Sequence, residues 1–446
     1  MTSPATDFEA LRSECRAARE SGDFERAVTA GRVVWTEAPD RNGWDAWNLA
    51  FSLRKLNQQG EAMNVLWAAL KALESDPAAI AAVGARLASE FGWSAYGAEL
   101  KNPKAPQPAR IAKTAMAVIR TWDQYTGGMP WTTQYCPVPM AINRAMKLLK
   151  EAQAWAHLAD LAAASDGDRM PDEAMRPEQA ESLQGDWTRA EAWYTSAAKA
   201  FVEEERFAEA LAVVERGMDR SPALGSHCLR WLYFHGAKAA IGTGDGQRAV
   251  RLVASARAAG VTGWWVGIVE ANAEELAGNH GAALEALADT FVSADRRRVA
   301  AEFLCTALDT ATRMLAADDP VLSAQCARAN RGIREAHGWK IPQSVETAAG
   351  GMSEPESALG EIVAAFARIR RNQQIRGTGT VTRLISEGSG FLRADDGVDR
   401  YFSFPRGVGM PSWCAVGAPI TFRPILRVDR KDGVEKPAAD DLESAT

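Results

Sequence analysis

A short phrase recurs along the first three quarters of this sequence, and its spacing limits the folds that the chain can adopt. Residues 22–28 read Gly-Asp-Phe-Glu-Arg-Ala-Val, and related phrases centre on four later alanines. The intervals between neighbouring copies are 35, 39 and 34 residues (27 to 62, 210 to 249 and 249 to 283). A period near 34 residues predicts stacked pairs of helices. The repeated alanines are Ala27, Ala62, Ala210, Ala249 and Ala283.

Close packing explains the recurring alanine, because the second helix of a pair crosses the first where only a small side chain fits. Two copies carry further matching positions, which are Cys15, Ala18 and Pro39 around Ala27, and Ala198, Phe201 and Pro222 around Ala210. This pattern resembles the tetratricopeptide-repeat (TPR) family. The resemblance implies a mainly α fold, an α-solenoid whose concave surface binds a protein or peptide partner.

The predicted repeats fall into two blocks. TPR-like repeats are predicted over 1–75 and 187–337. Residues 76–186 between them fit the pattern poorly and are predicted to form an irregular helical segment. Residues 100–186 fit either one inserted element or two degenerate repeats.

An aromatic loop is predicted within the irregular segment, from about 126 to 138. It could be a recognition loop for a peptide or for bases, or a plug that fills the seam between two blocks of repeats. We favour the plug, because buried Trp and Tyr are common at irregular repeat junctions. The candidate partner-binding residues of this loop are Trp122, Tyr125, Trp131 and Tyr135.

The C-terminal part of the sequence has a different pattern. A flexible linker is predicted over 338–357 and an amphipathic helix over 358–372, and an acidic tail is predicted over 439–446. Between them, residues 375–438 alternate short β-branched and aromatic runs with Gly and Asp turn signals, which predicts a small five-stranded barrel. The predicted strands are 377–385, 388–394, 399–405, 418–428 and 433–438.

The segments 379–381, 388–392 and 401–404 resemble the cold-shock branch of the oligonucleotide-binding (OB) fold. The resemblance implies that Phe391, Tyr401 and Phe404 form a stacking surface for single-stranded RNA or DNA. The arginines implied to contact phosphates are Arg383, Arg393, Arg400 and Arg406.

Four positions depart from the cold-shock pattern. Arg383 and Leu384 stand where the family has Trp and Phe, Ser389 where it has Phe, and Ser403 where it has His. Each base stacked on an aromatic ring contributes on the order of 1–3 kcal/mol, so these losses weaken binding. They favour the alternative of a barrel that contacts only protein.

The distribution of charge favours nucleic acid. The chain has a formal net charge of −6, whereas residues 368–436 hold 13 Lys/Arg and 7 Asp/Glu, a net charge of +6. The last ten residues add three acids, which leaves −9 for residues 1–367. A basic module on an acidic body is the asymmetry expected of a localised polyanion site. The alternative is a surface that is basic for solubility.

Several classes of protein are disfavoured by what the sequence lacks. Its six cysteines show no C-x-x-C spacing, which predicts isolated reduced thiols and no metal site. No apolar run is long enough to cross a membrane and no signal pattern is present, which predicts a cytoplasmic protein. No phosphate-binding loop, H-E-x-x-H or G-x-S-x-G motif is found, and no cofactor is expected.

The sequence therefore predicts a non-enzymatic adaptor whose repeats bind a protein partner while the barrel binds single-stranded RNA or DNA. The alternative is an interaction scaffold or regulatory subunit, for example of a bacterial stress or defence complex, whose barrel no longer binds nucleic acid. An enzyme with a cryptic site in the aromatic loop ranks third.

Overall fold

A computed structural model gives the fold of this chain as helices followed by a small β-domain. The chain divides into two units, residues 1–262 with 276–278, and residues 263–275 with 279–446. The described residues are 6–103, 105–172, 187–220, 225–293, 300–354, 359–373, 377–404, 409–428 and 435–445.

The first unit consists of helices, and all but the short Pro77–Ala79 pack against the next long helix along the chain. They are α1 (Phe8–Ser21), α2 (Phe24–Glu37), α3 (Gly43–Lys55), α4 (Gln59–Leu73), α5 (Pro77–Ala79), α6 (Ala85–Ala95), α7 (Pro108–Thr126), α8 (Val138–Glu151), α9 (Trp155–Ala163), α10 (Arg189–Glu203), α11 (Phe207–Asp219), α12 (Ser226–Gly242) and α13 (Gly246–Ala258). Two π-helical turns, Ile80–Gly84 and Tyr96–Leu100, flank α6, and a 3₁₀ turn covers Gly167–Arg169.

The recurring phrase marks three features of the fold. They are the end of one helix, the start of the next helix and the point where the two helices pack closely. Gly22 follows α1 in the left-handed conformation at φ +85°, which glycine adopts without strain. The Asp23 carboxylate then accepts a hydrogen bond from the Arg26 amide and caps α2. Ala27 is fully buried, as are Ala62, Ala210, Ala249 and Ala283. The predicted pairs of helices are therefore confirmed, for the packing reason given above.

The helices of the second unit are α14 (Trp264–Leu276), α15 (His280–Ser293), α16 (Ala301–Leu315), α17 (Pro320–Ala336), α18 (Gln343–Ala349) and α19 (Leu359–Gln373). Helix α18 lies where a flexible linker was expected, and it packs against α17. Val345 and Ala349, one turn apart, are buried, and Arg331 of α17 forms a 3.0 Å ion pair with Glu346. Two small apolar residues four positions apart are too weak a pattern to predict this helix from the sequence.

Helix α19 is the amphipathic helix predicted from the sequence. Leu359, Ile362 and Phe366 on its apolar face are buried in a core shared with α14 to α17. The Phe366 ring stacks on Phe291 of α15 with centroids 4.4 Å apart and planes 11° apart. Helix α19 is thus an integral part of this helical core.

In the second unit, a histidine that can be protonated lies between two carboxylates at helix ends. His280 Nδ1 lies 2.7 Å from Glu275 Oε2, and His280 Nε2 lies 2.7 Å from Asp318 Oδ2. The hydrogen bond that His280 makes to Glu275 is the main cause that raises the pKa of His280, and the contact with Asp318 raises it further. Because the folded-state pKa is the higher one, the contact stabilises the fold below the unfolded-state pKa of about 6.5.

We therefore expect His280→Gln to lower stability at pH 5.5 by about 0.5 kcal/mol, a small value because the side chain is 38% exposed and screened by solvent. As the pH rises through the folded-state pKa of His280, this difference should shrink. Urea unfolding of both proteins at pH 5.5 and pH 9 measures it, with His157→Gln as a histidine control. A difference that stays the same at both pH values would contradict the assignment.

The β-domain contains β1 (Gly377–Ser386), β2 (Ser389–Ala394), β3 (Asp399–Ser403), β4 (Pro419–Val428) and β5 (Glu435–Ser444). Its strands pair in the closed order β1-β2-β3-β5-β4, antiparallel except for the parallel pair β3–β5. The first four strands lie within two residues of the predicted bounds.

The fifth strand corrects the prediction of an acidic tail at 439–446. Strand β5 continues to Ser444 because its backbone pairs with β4, as in the register of Thr421 with Glu443 and of Ile420 with Ser444. Backbone pairing of this kind places acidic side chains in a strand without requiring that they be buried.

Alternation along the strands separates an inner from an outer face. Val381, Leu392, Phe402, Ile420 and Phe422 are among the buried residues that fill the interior. Gly390 lies beside them on β2, where a Cβ atom would stand 2.5 Å from the Arg383 carbonyl oxygen and 2.7 Å from the Phe402 ring. Only glycine fits this close approach without a shift of the backbone.

Candidate nucleic-acid interface

Three side chains form a row across the outer face of the barrel. In the strand register Arg383 of β1 stands opposite Phe391 of β2, and Phe391 stands opposite Tyr401 of β3. Leu392 and Phe402, next to the two rings, are buried, so the rings occupy the opposite face. A register shift in β1 between Val381 and Arg383 brings the exposed Arg383 to that face as well. The Phe391 and Tyr401 rings are half-buried, with centroids 5.6 Å apart in an edge-to-face arrangement. We call Arg383, Phe391 and Tyr401 the outer row.

The guanidinium of Arg383 extends this row of planar groups. Its Cζ atom lies 4.9 Å from the centroid of the Phe391 ring, a cation–π contact. From the sequence, Arg383 is predicted only to contact phosphate, and its position is one where a ring of the cold-shock pattern is lost. A guanidinium plane can stack on a base as well as bind a phosphate. The sequence does carry a signal for this stacking role, because Arg383 occupies the position of an aromatic residue in the cold-shock pattern.

The structure places Phe404 elsewhere, which corrects its predicted membership of the stacking surface. Phe404 follows the last residue of β3 and lies three residues after Tyr401, so strand alternation puts it on the other side. Its half-buried ring packs against the barrel core beside Phe402 and Trp413, at centroid distances of 6.0 and 6.1 Å. Phe404 therefore supports the core.

Two of the predicted phosphate contacts already have carboxylate partners. Arg393 Nη2 donates to Asp399 at 2.7 Å, and Arg400 Nη2 lies 2.6 Å from Asp396. The hydrogen bond from Arg400 holds the pKa of Asp396 at about 2, so that this carboxylate stays charged. These pairs engage two of the arginines predicted to contact phosphates, and their carboxylates are already included in the net charge of +6 for residues 368–436. The fourth predicted arginine, Arg406, lies outside the described residues.

Three of the four aromatic residues assigned to the predicted loop are buried, and two of them, Trp122 and Tyr125, lie in helix α7. Trp122, Tyr125 and Trp131 are 2%, 3% and 2% exposed, and only Tyr135, at 63%, is on the surface. The Trp122 indole N–H donates to the Met129 carbonyl at 3.0 Å. Their burial contradicts a partner-binding role for Trp122, Tyr125 and Trp131.

The contacts of Trp131 show how this buried ring is held. The Arg169 guanidinium lies 4.2 Å from the centroid of the Trp131 ring and forms a 2.6 Å ion pair with Asp123. Asp123 also accepts a hydrogen bond from the Trp131 indole N–H at 3.4 Å. The ring is thus enclosed by a paired charge, which leaves it no face for a partner.

The described part of the chain also shows the surroundings of the cysteines and of the other possible metal ligands. All six cysteines are free and buried, and burial raises the pKa of Cys136 to about 12. No group of three His, Cys, Asp or Glu side chains there could hold a metal ion. None of its helices is long and apolar enough to cross a membrane.

Comparison with known proteins gives only distant structural likeness. No protein-family model matches the chain, and no curated protein matches its sequence. A tetratricopeptide repeat protein from Parabacteroides merdae is 12% identical over 68% of this chain and 98% of its own, with a TM-score of 0.25. Naa15/Naa10 bound to HypK is 16% identical over 84% and 55%, with a TM-score of 0.30. The P58(IPK) TPR domain is 12% identical over 83% and 100%, with a TM-score of 0.21.

These TM-scores are too low to carry an argument. The paired-helix architecture therefore rests on the repeated alanines and on the packing described above.

Proposed function

We propose that this protein is a non-enzymatic adaptor whose helical repeats bind a protein partner and whose barrel binds single-stranded RNA or DNA. The observation that supports nucleic-acid binding by the barrel is the outer row, which consists of Arg383, Phe391 and Tyr401 on adjacent strands. Partly exposed rings beside a guanidinium suit bases that stack without sequence preference.

The architecture of the β-domain supports its assignment to the cold-shock branch of the OB fold. Five strands in a closed order match the small barrels that bind oligonucleotides on one face. Residues 368–436 also carry a net charge of +6, which favours association with a polyanion.

The scaffold alternative is favoured by one specific observation. Arg393 and Arg400 are neutralised by Asp399 and Asp396, so much of the expected phosphate contact is engaged within the barrel. The Arg393–Asp399 pair, with side chains 57% and 52% exposed, exchanges partners at small cost, about 0–1 kcal/mol, whereas the Arg400 side chain is only 12% exposed. A barrel that binds no oligonucleotide would be a protein-docking module.

Fluorescence anisotropy of the full-length protein with labelled single-stranded RNA and DNA of about 16 nucleotides, the upper site size of one OB fold, tests the proposal. We expect binding that weakens as salt is raised. Phe391→Ala and Tyr401→Ala should each weaken it about 5- to 150-fold, since each ring supplies roughly 1–3 kcal/mol of stacking.

Val416→Ala is the matched control, because Val416 is a 62% exposed apolar residue of the same barrel outside the outer row. Its affinity should equal that of the wild type, and thermal melting should show all variants folded. If the wild type binds neither nucleic acid at low salt, or if Val416→Ala weakens binding as much as the ring variants, the nucleic-acid function is refuted and the scaffold is favoured.

A further inference from the structure

A cavity of about 310 Å³ lies among the first three helices of the chain. Its walls come from α1, from α2, and from α3 with the turn before it. The volume is at the lower end of the range for ligand pockets, about 300–1,000 Å³, which is enough for one long side chain. Three carboxylates and two guanidinium groups line the cavity, and together they have a net charge of −1. We call this cavity, with its charged residues Glu9, Asp40, Asp45, Arg12 and Arg16, the acidic pocket.

Arg12 in the acidic pocket has no hydrogen-bond donor left for a ligand. Its Nη1 atom donates to Glu9 at 2.6 Å and to the Asp40 carboxylate at 3.0 Å. Its Nη2 atom donates to the Asp40 carboxylate at 2.8 Å and to the Asp40 carbonyl at 3.4 Å, and its Nε atom donates to Asp45 at 3.2 Å. These bonds use all five N–H groups of the guanidinium. An anion that entered the pocket would have to displace a carboxylate from Arg12.

Two of the carboxylates keep acceptor positions toward solvent. The side chains of Glu9 and Asp40 are 81% and 66% exposed, and they accept one and two hydrogen bonds from Arg12. A charged carboxylate offers about four acceptor positions. The hydrogen bond from Arg12 lowers the pKa of Asp40, which keeps this carboxylate charged at neutral pH. The rim of the pocket therefore presents acceptors and negative charge to a cation.

An aromatic ring adds a further contact for a cation. Trp44 of α3 lines the pocket and is 45% exposed. It meets Trp47 edge to face, with centroids 6.0 Å apart. Arg19 lies 4.9 Å from the centroid of the Trp47 ring, whereas no cation of the described residues lies over the Trp44 ring. A cation in the pocket can therefore be attracted to the face of Trp44.

We propose that the acidic pocket binds a lysine or arginine side chain of a basic peptide segment. This inference rests on the proposed role of the helical repeats as a protein-binding surface and names the chemistry of the partner. The cation would donate to Glu9 and Asp40 and lie against the Trp44 ring. In the described residues no group of three His, Cys, Asp or Glu could hold a metal ion, which favours an organic cation.

The charge of the surrounding chain favours the same partner. Residues 1–367 carry a net charge of −9, which attracts a basic segment and repels a nucleic acid. Arg16 is exposed at the pocket and opposes a bound cation. Its removal should therefore strengthen binding of a basic peptide, whereas removal of the same residue from an anion site would weaken binding of an acidic one.

Anisotropy of fluorescein-labelled hexalysine with the full-length protein tests the proposal. We expect binding that weakens as salt is raised. Glu9→Gln/Asp40→Asn, which changes the net charge of the pocket from −1 to +1, should weaken binding at least about fivefold. Trp44→Leu should weaken it about 2- to 30-fold, the range expected for loss of a cation–π contact. Thermal melting should show all variants folded.

Glu61→Gln/Glu209→Gln is the matched control, because both carboxylates belong to the same unit and lie outside the pocket. In each double variant, one lost carboxylate pairs with an arginine three residues away, and the other is held through both oxygens by an arginine distant in the chain. The control therefore removes the same charge from similar contacts. It should bind hexalysine as the wild type does.

The direction of the change at Arg16 separates a cation site from an anion site. Arg16→Gln should strengthen hexalysine binding about two- to fivefold, since it removes a like charge from the pocket. Arg251→Gln, which replaces an exposed arginine of α13, is its control and should leave the affinity unchanged. Equal gains in the two variants would indicate only a response to net charge.

Three outcomes would overturn the proposal. These are no hexalysine binding by the wild type at low salt, equal losses in the two double variants, or tighter binding of hexaglutamate than of hexalysine together with a loss of hexaglutamate binding in Arg16→Gln. The last outcome would leave the repeats as a peptide-binding surface and refute only the basic chemistry of the partner. Oligonucleotide binding that depends on Phe391 and Tyr401 is measured separately, so failure here is distinguishable from failure of the barrel's proposed function.

Discussion

Replacing Phe366 with alanine should destabilise the second unit by about 3–5 kcal/mol, the usual cost of removing a fully buried phenylalanine. Phe366 is 0% exposed and stacks on Phe291 within the core that joins α19 to α15. The cavity left behind would be lined by Leu359, Ile362 and other side chains of this core, which can only partly collapse into it. The loss is large compared with the total stability of an ordinary domain.

Hydrogen exchange of the full-length protein would measure this effect locally, because protection of the α15 and α19 amides reports the opening free energy of that part. Phe303→Ala is the matched control, since the same side chain in α16 is 51% exposed. Its effect should stay below about 1 kcal/mol. Unchanged protection of α19 in Phe366→Ala would show that this helix does not depend on the helical core.

Trp131→Ala should cost a comparable amount, about 3–5 kcal/mol, in the first unit. The substitution removes a 2% exposed ring and leaves Asp123 and Arg169 around an empty space. Because Arg169 comes from a 3₁₀ turn 38 positions later in the chain, the loss should also loosen that turn. Urea unfolding followed by far-UV circular dichroism measures the change.

Tyr135→Ala separates the plug from a recognition loop. Tyr135 is 63% exposed, so its removal should change stability by less than about 0.5 kcal/mol. If Trp131→Ala proved as harmless as Tyr135→Ala, the loop would not be a plug. A partner-binding role for its aromatic side chains would then be favoured.

The parts of the fold that could be predicted from the sequence depend on local chemistry. A glycine that ends a helix, an aspartate that caps the next and an alanine at their crossing all act within a few residues, as at Gly22, Asp23 and Ala27. The strands of the barrel were likewise marked by alternation and by turn residues. Such signals need no knowledge of distant contacts.

The remaining features of the structure depend on contacts that the sequence does not reveal. Arg393 and Arg400 meet Asp399 and Asp396 only because of the pairing between β2 and β3 and the turn that joins them. The enclosure of Trp131 likewise required Arg169 from a distant turn. Local patterns indicated which residue types were present but not which charges were already paired.

The candidate site was also predicted only in part, here because a local signal, strand alternation, was not applied to Phe404. Phe391 and Tyr401 lie side by side as the cold-shock resemblance implied, because their register follows from a short turn between neighbouring strands. Phe404 was misplaced because strand alternation, which continues past Ser403, turns it toward Trp413.

The closing of the barrel by β5 sets the order of folding events. Tyr401 pairs with Ala438, 37 positions away, and Gly377 pairs with Phe422, 45 positions away, whereas α1 and α2 meet across a two-residue turn. Local contacts form quickly and distant ones slowly, so helix pairs should form on the ribosome well before the barrel closes. Until β5 has been synthesised, β3 and β4 each present an unpaired edge that can join another chain. A nascent chain stalled before 435 would thus carry folded helices and an aggregation-prone barrel.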